Sequence, residues 1–575
     1  MSEKIKITIV MDDEKLNREN QGEKSDTIIL TQESSMTVMS VLRESGLLSG
    51  SFCGGRGDCG RCIVQFLEGA PLPTGIERSR LEPEELRQGF RLACVTRPKT
   101  DCVIRIPEKT EREISIVTEM NPVSENIDLN GRQNKLSEKQ ISFAMKTDDK
   151  SVGAAKKAIK NASVISPKRA DVMIAVDLGT TTIAMQLRDM VTGEVRDTYC
   201  ELNPQRTYGT DVLSRIQASC DGHREELRKL VCETLLRGLR QFSARMETSE
   251  AEKADAEHEG CPACMCIAGN TTMEHLLLGY DVSPLGRSPF IPVEIGLQEM
   301  MSSKLFAMSK GTVKGTEATT IPIEWDFPVY IAPGISAFVG GDIVAGLYTL
   351  QMLPGIFVPC QGKEETEAAK QEPVKLLIDL GTNGEMAITD GKRMLVTATA
   401  AGPAFEGGRN SALIGTDRIV LTAELLRQGK LDETGFLTET ENENKCYLKQ
   451  EDIRDLQMAK AAIRAGVEIL WEKMGRPEIG MVYLAGGFGY YLDVEAALAI
   501  GLLPEHLRGR IQAVGNTALE GAYRLGRDLT EGILTKSRLE EVLAVTESGS
   551  LHAVNLAKQG GFERLYIKYM NLEKN

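Results

Sequence analysis

The sequence predicts mixed α/β and α+β architecture in three parts: a small N-terminal unit, a polar linker, and a large two-lobed α/β domain. Three observations lead there. Short β-type runs and brief helical patterns fill residues 1–108, and the patterning fades between 109 and 170. From 171 onward, β-branched runs ending in Gly and Thr alternate with long amphipathic helices, and one strand–turn–strand unit occurs twice, at 172–187 and at 375–389.

Bulk properties bound the rest. A chain of 575 residues is too long for one core, and a prior of roughly 150 residues per domain suggests three or four units. A hydrophobic share of 42% with 26% charged residues is that of an ordinary soluble globular protein. The formal charge of −14 argues against nucleic acid as a partner, since phosphate contacts need clustered Lys and Arg. No apolar run approaches the roughly 18 residues of a membrane span. The opening MSEKIKITIVMDDEK is acidic where a secretory signal needs a basic start and an apolar stretch, so the expected location is cytoplasmic. In a reducing compartment the thirteen cysteines are expected to be metal ligands, catalytic thiols or buried filler, not disulfides.

In the first unit, KIKITIV (4–10) and DTIIL (26–30) read as a hairpin. MTVMSVLRESG (36–46) places Val38, Val41 and Leu42 at helical spacing, with Gly46 to close the helix. CIVQFLEG (62–69) and DCVIRIP (101–107) read as strands, and EPEELRQGF (82–90) as a short helix opened by Pro83. The linker, 109–170, holds ten Lys or Arg against three acids between 132 and 169. It reads as a mostly disordered tether with a short helix near 152–161; a basic docking arm for an acidic partner is the second reading. The lobes are expected at roughly 171–345 and 374–575, with acidic surface insertions at 247–260, 361–373 and 438–445.

Four cysteines have ligand spacing: Cys53, Cys59 and Cys62 on one loop, and Cys94 after 31 further residues. Three thiolates on one loop plus a distant fourth is how [2Fe–2S] sites hold their two irons. The loop SFCGGRGDCGRC carries four glycines, which let the backbone wrap a cluster and aim N–H groups at its sulfurs. Structural zinc and a redox CxxC are the alternatives, but zinc sites usually pair two short-spaced ligand pairs. CPACMC (261–266) lacks a His partner and reads as unliganded cysteines leading into a core strand that begins at Met265.

Asp177, Leu178, Gly179, Thr180, Thr181 and Thr182 end a fully apolar strand. Gly179 permits close approach of a phosphate, and Thr180, Thr181 and Thr182 offer N–H and hydroxyl donors. An anion such as Asp177 serves better by holding Mg²⁺ through water. Asp379, Gly381, Thr382, Asn383, Gly384 and Glu385 repeat the arrangement in the second lobe. Facing hairpins of this kind would clamp phosphates and metal, with one carboxylate orienting water or a hydroxyl. A third piece, MVYLAGGFG (481–489), runs a strand into a turn containing Gly486, Gly487 and Gly489, suited to packing on a flat adenine. Each motif alone is weak; the ordered set is far more specific.

That set resembles the ribonuclease-H-like ATPase fold of actin, sugar kinases, acetate kinase and the heat-shock chaperones. By that resemblance, residues 341–346 and 515–521 fall where the connecting helices belong. The cysteine pattern, with GFRLACVT around Cys94, resembles a β-grasp ferredoxin-like domain. Together they resemble the reductive activators of corrinoid proteins, a likeness extending to 202–216, 268–279, 288–294, 332–347 and 398–408. The resemblance implies a [2Fe–2S] cluster, ATP and Mg²⁺ as cofactors, with Asp177 and Asp379 as catalytic groups. It implies one-electron return of Co(II) to Co(I) in the corrinoid protein of a methyltransferase or O-demethylase system, fed by a low-potential donor. Residues 202–216 and 332–347 become candidate partner contacts, and a second copy of the chain is a possible partner. Family members can carry a separate small domain where this chain has only its polar linker, so dimerisation attributed to it does not carry over. Two other classes remain: an activator of a non-corrinoid enzyme, and a small-molecule kinase with a fused ferredoxin domain. His275 reads as a satisfied core or boundary histidine, and Glu406 as a ligand contact or a turn-stabilising carboxylate.

Overall fold

The computed structural model describes residues 4–10, 27–33, 36–45, 62–81, 83–106, 118–121, 171–209, 211–251, 261–307, 325–356, 373–381, 383–400, 415–437, 448–545 and 549–572. Outside them lie Cys53, Cys59, Thr382, Glu406, the helix expected near 152–161 and most of the linker and acidic insertions.

Five strands form the N-terminal sheet: β1 (Lys4–Val10), β2 (Thr27–Glu33), β3 (Ile63–Glu68), β4 (Phe90–Leu92) and β5 (Cys102–Arg105), in the order β2-β1-β5-β3-β4. The expected hairpin is present, with Lys4 opposite Glu33 and Val10 opposite Thr27. Helix Val38–Glu44 buries Val38, Val41 and Leu42, the residues at helical spacing. Helix Pro83–Arg87 begins at the expected proline. A further helix, Gly75–Arg80, was not expected, although Thr74 and Glu77 form a capping box at its start. Glu77 is fully buried and also accepts from the Leu92 N–H at 3.0 Å and the Thr96 hydroxyl at 2.7 Å, tying this helix to the segment around Cys94.

The rest of the chain builds two six-stranded sheets of matching design. In the first, β6 (Val172–Leu178), β7 (Thr182–Asp189) and β8 (Val195–Leu202) form an antiparallel meander. Strand β9 (Met265–Gly269) lies parallel to β6, and β11 (Pro328–Ile331) parallel to β9, with β10 (Gln298–Met301) at the edge. In the second, β12 (Val374–Leu380), β13 (Asn383–Thr389) and β14 (Met394–Ala400) form the meander. Here β15 (Ile479–Ala485) lies parallel to β12, β16 (Ile511–Gly515) parallel to β15, and β17 (Leu551–Ala553) beside β14. The order β11-β9-β6-β7-β8 is thus repeated as β16-β15-β12-β13-β14. Crossovers between parallel strands need helices on the faces, which is why the buried strands β6 and β9 read as apolar runs.

Between the sheets cross helices Gly341–Thr349 and Thr517–Thr530, the two connecting helices. They touch backbone to backbone: a Cβ on Gly521 would lie 2.1 Å from the Ala345 carbonyl oxygen. The Tyr348 hydroxyl donates to Asp528 at 2.5 Å and locks the same crossing further along. Their apolar residues share one core with the inner faces of both sheets, while separate cores lie under the outer helices of each lobe. Among the described residues, no helix is long and apolar enough to cross a membrane.

Candidate functional site

Of the four predicted cluster ligands, Cys62 and Cys94 are described. Cys62 immediately precedes β3 and Cys94 follows β4, strands that pair with Ile63 opposite Leu92. The Ala93 N–H closes on the Cys62 carbonyl at 2.7 Å, so the ladder brings the two cysteines to one end of the sheet. Both are nearly buried, at 2% and 6% exposure. Helix Val38–Glu44 backs them, with the Met39 N–H on the Ala93 carbonyl at 2.9 Å and the Val38 N–H on the Thr96 carbonyl at 3.0 Å. Two buried thiols at one end of one sheet fit half of a four-thiolate cluster.

The first hairpin places Asp177 at the end of β6, opposite Ala184 on β7 and beside Ala268 on β9. Its turn is held from behind. The Asn203 amide donates to the Gly179 carbonyl at 2.9 Å, and the Asn203 N–H donates to the Thr181 carbonyl at 2.9 Å. Arg215, fully buried, donates to the carbonyls of Thr180 and Gly209 and to the Gln205 side chain. The Asn270 amide donates to the Thr180 hydroxyl at 2.8 Å, and Thr182 opens β7 opposite Leu202. Asn203, Gln205 and Arg215 belong to the stretch 202–216 that was expected to contact a partner. All three are buried and committed to this scaffold, which leaves Leu213, at 59% exposure, as the accessible apolar residue there.

The second hairpin sets Asp379 directly opposite Glu385 and Leu380 opposite Gly384. The Gly381 N–H donates to the Asn383 carbonyl at 3.0 Å across the turn. Carboxylates directly opposite on one face of an antiparallel pair repel, so this pairing is stable only if protonated or bridged by a cation. The run containing Gly486, Gly487 and Gly489 is not an open turn: it starts helix Gly486–Tyr491 straight off β15. Gly486 has φ +81°, and a Cβ there would lie 2.5 Å from Asp379 Oδ1, so only glycine lets this strand end meet that carboxylate. Gly487 faces open space.

The matched sheets add a relationship that motif reading missed. Ala268 is paired to Asp177 as Ala485 is paired to Asp379. The Ala-Gly-Asn at 268–270 is therefore the first-lobe counterpart of the Ala-Gly-Gly at 485–487, with a helix following each. His275, on the first of these helices, is 2% exposed. It donates from Nδ1 to the Thr271 carbonyl at 2.7 Å and accepts the Val293 N–H at Nε2, so it is a satisfied core histidine. Cys264 and Cys266 are buried around the start of β9, which begins at Met265 as expected, and Cys264 Sγ lies 3.6 Å from the Gly526 carbonyl.

Five carboxylates gather around the cleft. Asp342, at the start of the first connecting helix, joins Asp177, Asp379 and Glu385, with Glu274 behind it. Burial pushes Asp177 up to about 6, an effect moderated by the donor Asn516. Asp379 is raised to about 7 by burial and by the charges of Asp342 and Asp177. Asp342 is raised to about 7 by burial and by Asp177, against the Ile343 N–H it accepts. Glu385 and Glu274 are pushed well up by burial and by these neighbours. Among the described residues no arginine or lysine pairs with any of the five. Buried like charges without a cation partner fit a divalent ion and its ligand sphere. Among the described residues no three His, Cys, Asp or Glu side chains converge as direct metal ligands.

Comparisons with known proteins agree with these parts. A family described as 2Fe-2S iron-sulfur cluster binding domain matches residues 23–99. One described as RACo middle region matches 172–354, and one described as C-terminal domain of RACo, the ASKHA domain, matches 373–415 and 412–575. The corrinoid activation enzyme RamQ of Eubacterium limosum is 28% identical over 423 residues, 62% of this chain and 64% of RamQ. The chain thus spans just under two thirds of that relative's length. The [Co(II) methylated amine-specific corrinoid protein] reductase of Methanosarcina barkeri is 23% identical over 451 residues, 68% of this chain and 76% of that protein. A solved structure of a reductive activator for corrinoid, iron-sulfur protein aligns over 98% of both chains with TM-score 0.53 and 23% identity, which shows a common fold.

Proposed function

Because the chain belongs to the RACo family by its middle region and C-terminal ASKHA domain, and carries a 2Fe-2S domain ahead of them, we propose that it is an ATP-dependent reductive activator of a corrinoid protein. The protein passes one electron to Co(II), giving Co(I), while ATP and water become ADP and phosphate. The observation that carries the reading is the unneutralised carboxylate cluster between two matched lobes, in a chain that also brings Cys62 and Cys94 together.

Cys53, Cys59, Cys62 and Cys94 hold the [2Fe–2S] cluster, which when bound supplies the electron at a potential near about −400 mV for its class. A corrinoid couple below that value leaves simple transfer unfavourable, tenfold for every ~59 mV of one-electron gap. ATP turnover makes the cycle directional. In the cleft, Asp177 and Asp379 are the residues that would hold Mg²⁺, which would neutralise phosphate charge, and Asp379, opposite Glu385, orients the attacking water. Thr180, Thr181, Thr182, Gly381, Thr382, Asn383 and Gly384 receive the phosphates with N–H and hydroxyl groups, with Gly179 giving close approach. The open side of Gly487, between Gly486 and Gly489, receives adenine.

RamQ and the Methanosarcina reductase support a corrinoid protein as the partner. A low-potential donor upstream recharges the protein, and the cytoplasm is the compartment that suits its thiols. A second copy of the chain has no role in this scheme.

The test mixes reduced protein, Mg–ATP and a Co(II) corrinoid protein and follows Co(I) absorbance. Co(I) forming only when ATP is present is the expected result. Absence of Co(I) with several corrinoid proteins, together with phosphorylation of a small metabolite, would overturn the reading in favour of a kinase.

A further inference from the structure

The chain that leaves the N-terminal domain comes back to the cleft. Residues 118–121 lie along the outer edge of β16, the last strand of the second sheet. Met120 pairs antiparallel with Gly515, the Asn121 N–H donates to the Val514 carbonyl at 3.0 Å, and the Asn516 N–H donates to the Glu119 carbonyl at 3.0 Å. The Asn121 side chain adds a bond to the Ala513 carbonyl at 3.0 Å. From the other lobe the Gln186 amide, only 3% exposed, donates to the Thr118 carbonyl at 3.0 Å. Four residues are therefore bonded to both sheets, and they satisfy part of an otherwise open strand edge.

The attachment point is one residue from the chemistry. Gly515 has φ +81°, and a Cβ there would lie 2.3 Å from the Glu119 carbonyl oxygen, so a side chain at 515 would push the segment off. Asn516, whose N–H the segment holds, donates its side-chain amide to Asp177 Oδ2 at 2.8 Å. Its Oδ1 accepts the Leu519 N–H at 2.8 Å and caps the second connecting helix. The segment also borders a cavity of about 880 Å³ lined by Arg188, Lys375, Tyr483 and Arg524, while Met120 packs against the core between the two sheets.

We propose that residues 118–121 act as a strap that positions Asn516, and through it Asp177, so that nucleotide binding in the cleft is linked to anchorage of the tether carrying the N-terminal domain. The inference rests on the ATP reading above. Linkage is reciprocal: whatever the strap adds to nucleotide affinity, bound nucleotide adds to the hold on the strap. Asn516 is a positioning residue, and the strap acts on it through the backbone.

The experiment uses the full-length protein. Hydrogen exchange at the amides of Asn121 and Asn516 is measured with and without Mg–ATP, and Mg–ATP affinity is measured by calorimetry for wild type, Gly515→Ala and Asn121→Ala. Expected are slower exchange at both amides when nucleotide binds, and affinity lower by at least about fivefold in each variant, the lower end of ordinary coupling between sites. Asn121→Ala removes a single side-chain bond and decides the matter should Gly515→Ala not fold. Wild-type binding with unchanged exchange at 119–121, and wild-type affinity in Asn121→Ala, would overturn the strap and leave the ATP reading standing. No binding of Mg–ATP by the wild type would overturn both.

Discussion

The Asn516 side chain donates to Asp177 Oδ2 at 2.8 Å, joining positions 339 residues apart across the two lobes. The bond opposes the burial that raises Asp177, and Asp379 has no such donor among the described residues. Asp177, with its donor, is raised to about 6, whereas Asp379, without one and facing two charges, is raised to about 7.

Replacing Asn516 with Asp keeps an acceptor for the Leu519 N–H but exchanges the donor to Asp177 for another carboxylate. A further carboxylate beside the buried cluster strengthens its pull on a divalent cation, so on the proposed reading the Mg²⁺ requirement should fall by about tenfold or more. Phosphate release titrated with Mg²⁺ checks this. A wild-type curve would remove Asn516 from the site.

Asp379→Asn removes the carboxylate proposed to orient water. Phosphate release is expected to fall by about a hundredfold or more, the usual scale for one preorganised polar group, with cluster absorbance unchanged. Loss of both signals would point to a folding defect.

The raised carboxylates also make a prediction about pH. Folded Asp177, Asp342 and Asp379 hold protons more tightly than the unfolded chain does, at about 6 and about 7 against 3.8. Their contribution to stability is therefore full below about pH 4 and is lost as pH rises through about 6–7. Without metal or nucleotide, urea midpoints should fall between pH 5 and pH 8, and fall less in Asp379→Asn. Asp189, lowered to about 2 by its turn hydrogen bonds and Arg196, acts oppositely and only below pH 4. Equal slopes in the two proteins would contradict the assignment.

Gly521→Ala sets a methyl group 2.1 Å from the Ala345 carbonyl oxygen in the helix crossing. Overpacking of this kind costs about 1–3 kcal/mol, and urea unfolding should show it as a lower midpoint. The same change at Gly532, where a Cβ meets nothing but φ is +71°, should cost less.

Much of this site was legible because its residues sit at strand ends with distinctive turns. Asp177, Asp379 and Gly486 follow apolar runs, and although one strand stopping at Asp-Leu-Gly-Thr says little, three such strand ends in order are specific. Asp342 and Asn516 are different. An acid in the first turn of a helix and an Asn before one are ordinary helix starts, and Asn516 is also a genuine cap. Only the crossing of the connecting helices brings them to the carboxylates. The strap had no readable pattern, since four residues paired to a strand edge leave neither period nor composition. Thr74 and Glu77 leave a capping signature, but a six-residue helix carries no apolar period to accompany it. The repeated turn suggested duplication, but the shared strand order that makes 268–270 the counterpart of 485–487 emerges only from the pairing.

The contact between Gly521 and Ala345 also restricts how the lobes can move. Sliding one helix past the other would drive a side-chain-bearing position into the gap, so rotation about the contact, held by the Tyr348–Asp528 bond further along, is the motion the crossing leaves open. Motion between the lobes then reduces to rotation about a fixed fulcrum, with displacement growing with distance from it. A small change at the carboxylates beside the fulcrum becomes a large one at the rim, where a bulky partner would feel it.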